Sequence, residues 1–277
     1  MNYRHIYHAG NFADVFKHVL LTRILLYLAQ KPTPFAYIET HAGIGLYDLG
    51  ADAAGRTGEW QGGIGRMQAA DFAPECRDLL APWLDLVGPI DPTQGRMLYP
   101  GSPAIAQALC RAQDRMTLCE LHPDDLATLR ENLGRDGRAK ALALDGYVGL
   151  NAFVPPKERR GLVLIDPPFE APDEMQRVAQ AVLRAHAKWP GGVYALWYPL
   201  KDSQAADWLA QQLADHGVER SLRLELWIGA AAEAKRLSGC GLIVINPPYT
   251  LSAEARIILP ELARVLAQGQ DAGWRID

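Results

Sequence analysis

The chain has 277 residues, of which 49% are apolar, with 28 lysines and arginines against 32 aspartates and glutamates, for a net charge of −4. That composition can bury the core of one large domain, and no apolar run reaches the roughly 18 residues of a membrane span. The acidic balance excludes a global basic field, so a nucleic-acid partner has to be held by local patches, and four scattered cysteines without a CxxC pair exclude a zinc ribbon or disulfide framework.

Met1-Asn2-Tyr3-Arg4-His5 lacks the basic-then-apolar layout of a signal peptide, which with the free cysteines predicts a cytoplasmic protein. Phe12, Val15, Phe16, Val19 and Leu20 repeat at helical spacing and predict a helix from about Phe12 to Gln30, with Lys17 and His18 on its polar face. Phe35–Glu39 reads as the first strand and runs into Thr40-His41-Ala42-Gly43-Ile44-Gly45. Residues 46–100, rich in Gly and Pro around helical pieces such as Glu75–Leu86, read as a mainly helical subdomain inserted after it. Ser102-Pro103 is an N-cap and first-turn proline opening a helix to Gln113. Apolar runs then predict strands at Met116–Glu120, Ala141–Asp145, Gly161–Asp166, Gly192–Tyr198, Leu222–Trp227 and Gly241–Asn246. Asp173 is set to cap the helix that follows the fourth strand, and Ser252 to open the last one, which carries Pro260. Seven strands alternating with helices predict an α/β fold with a mostly parallel sheet; after Tyr249 there is room for one helix and no further strand.

Carboxylates end three of the strands: Glu120, Asp145 (followed by Gly146) and Asp166. In an open parallel sheet, ligands bind beyond the carboxyl ends, where such groups accept from nucleoside hydroxyls and amines. Gly43 and Gly45 let backbone approach a ligand, but GxG also suits nicotinamide enzymes. The third glycine of that fingerprint and an immediate helix are missing here.

Asp166-Pro167-Pro168-Phe169 is the sharp signal. An adenine amino group is a poor nucleophile because its lone pair is delocalised into the ring. A carboxylate and a backbone carbonyl accepting from that NH2 draw it toward a tetrahedral form. Prolines hold φ near −65° and carry no N–H, so the turn presents carbonyls only. An aromatic in fourth place stacks on a flipped base. Asn246-Pro247-Pro248-Tyr249 matches the same pattern, but a reacting tetrapeptide with three strands behind it has to be the one at 166, so Asn246 reads as structural. His5, His8, His18 and His41 lack carboxylate or thiol companions at ligand spacing, and no metal is expected.

Tyr3-Arg4-His5, His8-Ala9-Gly10-Asn11, Lys17-His18, Thr40-His41-Ala42-Gly43, Arg56-Thr57-Gly58-Glu59, Tyr99-Pro100-Gly101-Ser102-Pro103, Asp166-Pro167-Pro168 and Ala195-Leu196-Trp197-Tyr198-Pro199 occur in this order along nearly the whole chain. With them the sequence resembles the RlmJ-type 23S ribosomal RNA adenine-N6 methyltransferases. The resemblance implies a class I Rossmann-like methyltransferase fold with a small helical insertion. It implies S-adenosyl-L-methionine contacts at His18, His41, Ser102, Glu120, Asp145, Gly146 and Asp166, to which Lys17 and Gly43 are added on position. Asp166, Pro167, Pro168 and Phe169 are then the catalytic candidates, and Tyr3, Arg4 and Phe169 the substrate contacts. The expected partner is 23S rRNA, free or partly assembled, met by a monomer. Arg56, Arg66, Lys157, Arg159 and Arg160 are candidate RNA grips. Phe169 departs from the family's usual Tyr and forfeits any hydrogen bond of a phenol. The competing readings are a DNA adenine methyltransferase and a non-catalytic RNA-binding protein of the same fold.

Overall fold

Strands whose side chains are apolar on both faces need cover on both faces, and the chain satisfies this with one twisted sheet between helical layers. The computed structural model describes residues 5–51, 54, 57–91, 97–201, 203–229 and 237–277. Its strands are β1 (Ala36–Glu39), β2 (Leu46–Asp48), β3 (Leu98–Pro100), β4 (Arg115–Cys119), β5 (Ala139–Leu142), β6 (Gly161–Ile165), β7 (Val193–Pro199), β8 (Ser221–Trp227), β9 (Gly239–Ile245) and β10 (Gly273–Ile276). Eight of them form the central sheet in the order β10-β8-β9-β7-β6-β1-β4-β5. β1 pairs parallel with both β4 and β6, and β6 with β7, while β9 runs antiparallel between β7 and β8. β1, β6 and β9 are buried along their whole length. The order reverses at β1, so the crevice beyond the carboxyl ends of β1, β4 and β6 is the ligand position of this topology. Apart from its edge strand, this is the class I Rossmann-like methyltransferase sheet that the family resemblance implies.

The differences from the sequence reading are local. The sheet has eight strands: Gly273–Ile276 closes it as β10, antiparallel to β8, where no strand was expected after Tyr249. Trp274 and Arg275 leave β10 without an apolar run to betray it. β2 and β3, three residues each, pair antiparallel across the ends of the 46–100 segment and are too short to carry a period. Between them lie a 3-10 turn (Glu59–Gly62) and helices Ile64–Ala69 and Pro74–Val87, whose Ile64, Met67, Leu80 and Trp83 enter the same core as Phe16 and Leu20.

The N-terminal helix, Phe12–Ala29, is capped by Asn11, whose side chain accepts from Ala13 N and Asp14 N. Lys17 and His18 do not face solvent: they are 5% and 1% exposed. The apolar period marks only one face of this helix, but helices and the sheet cover it all round, so its polar residues are interior. Ser102 is the first residue of its helix, with Gly101 at the cap position, and the helix stops at Leu109. The last helix spans Leu251–Leu266 and contains Pro260. Asp173 stands at the cap position of Glu174–Lys188 without a side-chain cap bond. Among the described residues no helix is long and apolar enough to cross a membrane.

Candidate active site

A cavity of about 710 Å³ opens beyond the carboxyl ends of the parallel strands. Lys17, His18, His41, Gly43, Ser102, Glu120, Asp145, Gly146 and the tetrapeptide Asp166 to Phe169 all line it. The sheet thus brings together residues 149 positions apart in sequence, as the Lys17–Asp166 pair shows. Tyr3, Arg4 and Arg56 lie outside the described residues. Of the basic candidates, Arg66 lines the cavity. Lys157, Arg159 and Arg160 belong to the loop entering β6, at the amino ends of the parallel strands and opposite the cavity, where Arg160 donates to the carbonyls of Leu28 (3.0 Å) and Thr33 (2.8 Å).

β1 delivers Glu39, Thr40, His41 and Gly43. Gly43 has φ of +61°, and a Cβ there would stand 2.4 Å from the Tyr47 hydroxyl oxygen, so only glycine fits. Its N–H donates to Glu120 Oε2 (2.8 Å), while His122 N–H donates to Glu120 Oε1 (2.8 Å). Burial raises the Glu120 pKa against these two donors. Asp145 is not a strand end: β5 stops at Leu142, and Asp145 caps helix Gly146–Phe153, its Oδ1 accepting from Tyr147 N (2.9 Å) and Val148 N (3.1 Å). At Gly146 an added Cβ would stand 2.2 Å from the Thr40 carbonyl oxygen, so the cavity floor is bare backbone.

Lys17 reaches from the N-terminal helix to Asp166 Oδ2 (2.5 Å) and to Asp14 Oδ1 (3.1 Å). Burial opposes the ammonium charge, but the two carboxylates outweigh it and raise the Lys17 pKa well above its ordinary value. Asp14 also accepts from Gly10 N (3.0 Å) and meets His5 Nε2 (2.9 Å). Burial works against its charge too, but His5 and Lys17 hold its carboxyl well below the usual range. His18 Nδ1 pairs with the Tyr99 hydroxyl (2.8 Å), and burial pushes its pKa down to about 3, so the ring is neutral at physiological pH. Its Nε2 is buried without a hydrogen-bond partner, 3.8 Å from Asp14 Oδ1. An orphaned buried ring nitrogen on a cavity wall asks for a polar ligand atom. His41 is likewise held neutral by burial, with Asp166 opposing, and touches Thr40 Oγ1 through Nδ1 (2.8 Å).

Phe169 sits at φ of +50°, a conformation costly for a bulky residue, and its ring meets Trp197 at 5.9 Å and 59°. Asn246 also has positive φ, but β9 runs the other way, so the 246–249 tetrapeptide leaves the sheet at the amino ends of the parallel strands, opposite the cavity. There the Asn246 amide donates to the carbonyls of Pro190 (2.7 Å) and Gly192 (2.8 Å).

Asp14, Glu39, Glu59 and Trp197 belong to this neighbourhood and are not singled out as site residues by sequence reasoning. Glu39 is 1% exposed; it accepts from Tyr37 OH (2.9 Å) and from Ser102 Oγ, so Ser102 serves a buried carboxyl rather than a helix cap. A carboxylate at the end of β1, ahead of a GxG turn, is the signal that would have found it. Trp197 carries none, since it reads as one more apolar strand residue.

The chain matches the family described as ribosomal RNA large subunit methyltransferase D, RlmJ, over residues 32–277. Ribosomal RNA large subunit methyltransferase J of Escherichia coli (strain K12) is 39% identical over 262 residues, 95% of this chain and 92% of its own. The Haemophilus influenzae protein of the same name is 37% identical over 279 residues, covering 100% of this chain and 98% of its own. A crystal structure of a Legionella pneumophila protein superposes with a TM-score of 0.87 at 33% identity, covering 98% of each chain. Identity of this extent over nearly the whole length makes the chain a member of the RlmJ family of ribosomal RNA large subunit methyltransferases.

Proposed function

We propose that this S-adenosylmethionine-dependent ribosomal RNA methyltransferase transfers its methyl group to the N6 amino group of one adenine in 23S rRNA. The observation that carries the reading is the placement of Asp166-Pro167-Pro168-Phe169 in one cavity with Glu120, Asp145 and Gly146. The nucleoside end of the donor fits against Glu120, Asp145 and the bare backbone at Gly43 and Gly146. Its polar amino-acid end fits the orphaned His18 Nε2, near His41, Ser102 and Lys17. When bound, S-adenosylmethionine supplies an electrophilic methyl on a sulfonium; the rest of the chemistry is positioning by the chain.

Lys17 takes Asp166 Oδ2 and leaves Oδ1 to accept from an amino hydrogen, and the Pro167 carbonyl accepts the other. Both acceptors pull electron density back onto the nitrogen and aim its lone pair. The Phe169 and Trp197 rings hold the base plane. The amino proton turns acidic only after the new N–C bond forms and leaves to water, so Asp166 orients and polarises rather than acting as a strong base. We read residues 1–277 as one methyltransferase domain, with 46–100 as an inserted, mainly helical subdomain. The enzyme acts in the cytoplasm as a monomer, on free or partly assembled rRNA, and Tyr3 and Arg4 belong to its substrate-contacting segment.

Labelled methyl transfer tests this. Protein-free 23S rRNA acquires label in N6-methyladenine, duplex DNA does not, and Asp166→Ala loses the activity. Label entering duplex DNA alone, or an unimpaired Asp166→Ala enzyme, would overturn the reading.

A further inference from the structure

Residues 57–64 are laced to residues 7–11. Thr57 Oγ1 donates to the Tyr7 carbonyl (2.5 Å), and Ile64 N donates to the Gly10 carbonyl (2.9 Å). Glu59 Oε2 takes both His8 Nδ1 (3.0 Å) and Asn11 Nδ2 (3.1 Å). A carboxylate only accepts, so Asn11 has to turn its NH2 toward Glu59. That choice aims the Asn11 carbonyl oxygen at Ala13 N and Asp14 N, 3.0 Å from each. The cap fixes the first turn of the helix, and the first turn fixes Asp14. Asp14 holds the Lys17 ammonium at 3.1 Å, and Lys17 holds Asp166 at 2.5 Å.

We propose that Glu59 is a positioning residue for methyl transfer, acting through Asn11 and the first turn of the N-terminal helix to hold Lys17 and Asp166 in their reacting arrangement. The 46–100 segment thereby contributes to the reacting centre through a carboxylate that touches neither methyl nor base. This rests on the reading of Asp166 as the methyl-transfer carboxylate. Residues held by shared partners respond as a unit, so their losses do not multiply.

The experiment measures kcat at saturating RNA and donor, KM for RNA and the dissociation constant of S-adenosylmethionine, in the full chain. Glu59→Ala and Asn11→Asp each lower kcat about tenfold with both binding constants within about twofold of wild type, consistent with a misplacement of well under 1 Å. Asn11→Asp keeps an oxygen for the cap but removes the NH2 donor, so it tests the tie even where Glu59→Ala does not fold. The double variant is no slower than the slower single one. Glu59→Gln, whose amide oxygen still accepts from Asn11, recovers most of the rate.

An unchanged kcat in Asn11→Asp overturns the proposal. So do single losses that multiply in the double variant, or a defect confined to KM for RNA, which would make Glu59 a substrate contact. Asp166→Ala separates the two claims. If it is inactive while Glu59→Ala and Asn11→Asp turn over normally, only the positioning role fails; if it is fully active, the reading beneath it fails.

Discussion

Two carboxylates, the buried Asp14 and the half-buried Asp166, share one ammonium, and that sharing sets the cost of touching Lys17. Its side chain is 6% exposed against 2% for Asp14 and 16% for Asp166. Lys17→Met keeps the bulk but takes the ammonium from the buried Asp14 carboxylate and leaves Asp166 without its cation on the cavity wall. The expected outcome is a loss of about 3–5 kcal/mol in urea unfolding, the usual cost of breaking a buried pair from one side, together with loss of methyl transfer. A stability within 1 kcal/mol of wild type (on the order of the median for an exposed pair) would contradict the buried pairing.

Glu39 gives a prediction with the opposite chemistry, because it prefers to stay protonated. Burial pushes its carboxyl from 4.5 up to about 8, despite the hydrogen bonds of Ser102 and Tyr37. The folded chain holds a proton that the unfolded chain releases near pH 4.5, so this residue's contribution to stability falls as pH rises from there to about 8. Glu39→Gln removes that titration. Its stability relative to wild type therefore climbs between about pH 5 and about pH 8 in denaturant melts; a constant difference would show that Glu39 does not titrate in that range. At this scale Asp166 is legible in the sequence because the prolines beside it restrict what the segment can be. Lys17 is less so: spacing alone places it on a polar face, and only the packing of the helix on all sides brings it into the interior.

Elements were legible in proportion to their length and apolar content. The seven expected strands show as apolar runs and the N-terminal helix as a periodic segment, but the caps are misplaced: Gly101 and Thr250, not Ser102 and Ser252, stand at the cap positions, and Asp173 makes no cap bond. β2 and β3 give no such signal, since three residues cannot display a period. Asp145 was placed at a strand end because Ala141–Leu144 continues the apolar run of β5, whereas its carboxylate in fact starts the next helix. The contact between the N-terminal segment and residues 57–64 depends on a close backbone approach that only the fold shows. A Cβ on Gly63 would stand 2.1 Å from the Gly10 carbonyl oxygen. Gly63→Ala therefore has to push the two segments apart, and the expected cost is about 1–3 kcal/mol of stability with a kcat defect like that of Glu59→Ala. A variant that melts and turns over as wild type would mean that the segments part freely.

For the whole molecule, strand order was the strongest inference available from sequence: it pointed to the crevice beyond the parallel strands and to the tetrapeptide at 166 over the one at 246, and residues 166–169 do line the cavity, although a strand follows Tyr249 after all. The edge of the sheet is not legible, because β10 places two consecutive exposed residues, Trp274 and Arg275, between half-buried Gly273 and Ile276 and shows neither an apolar run nor an alternation. β10 nonetheless covers β8, whose Leu222, Leu224 and Leu226 are buried. A chain ending at Gln270 turns β8 into an open edge. Its melting temperature is expected to drop by several degrees, with self-association visible in light scattering. A monodisperse, equally stable truncation would show that the edge needs no cover.

The reversal of β9 reaches beyond the tetrapeptide that follows it. Asp166-Pro167-Pro168-Phe169 and Asn246-Pro247-Pro248-Tyr249 are nearly the same word, yet one lines the cavity and the other, at the opposite end of the strands, donates through its Asn246 amide to the carbonyls of Pro190 and Gly192. Spelling is therefore only half of a reactive motif; the other half is the heading of the strand that carries it. Within one sheet, a second copy of such a tetrapeptide is carried away from the cavity when its strand arrives from the opposite direction, and here it is the copy at 166–169 that lines the cavity.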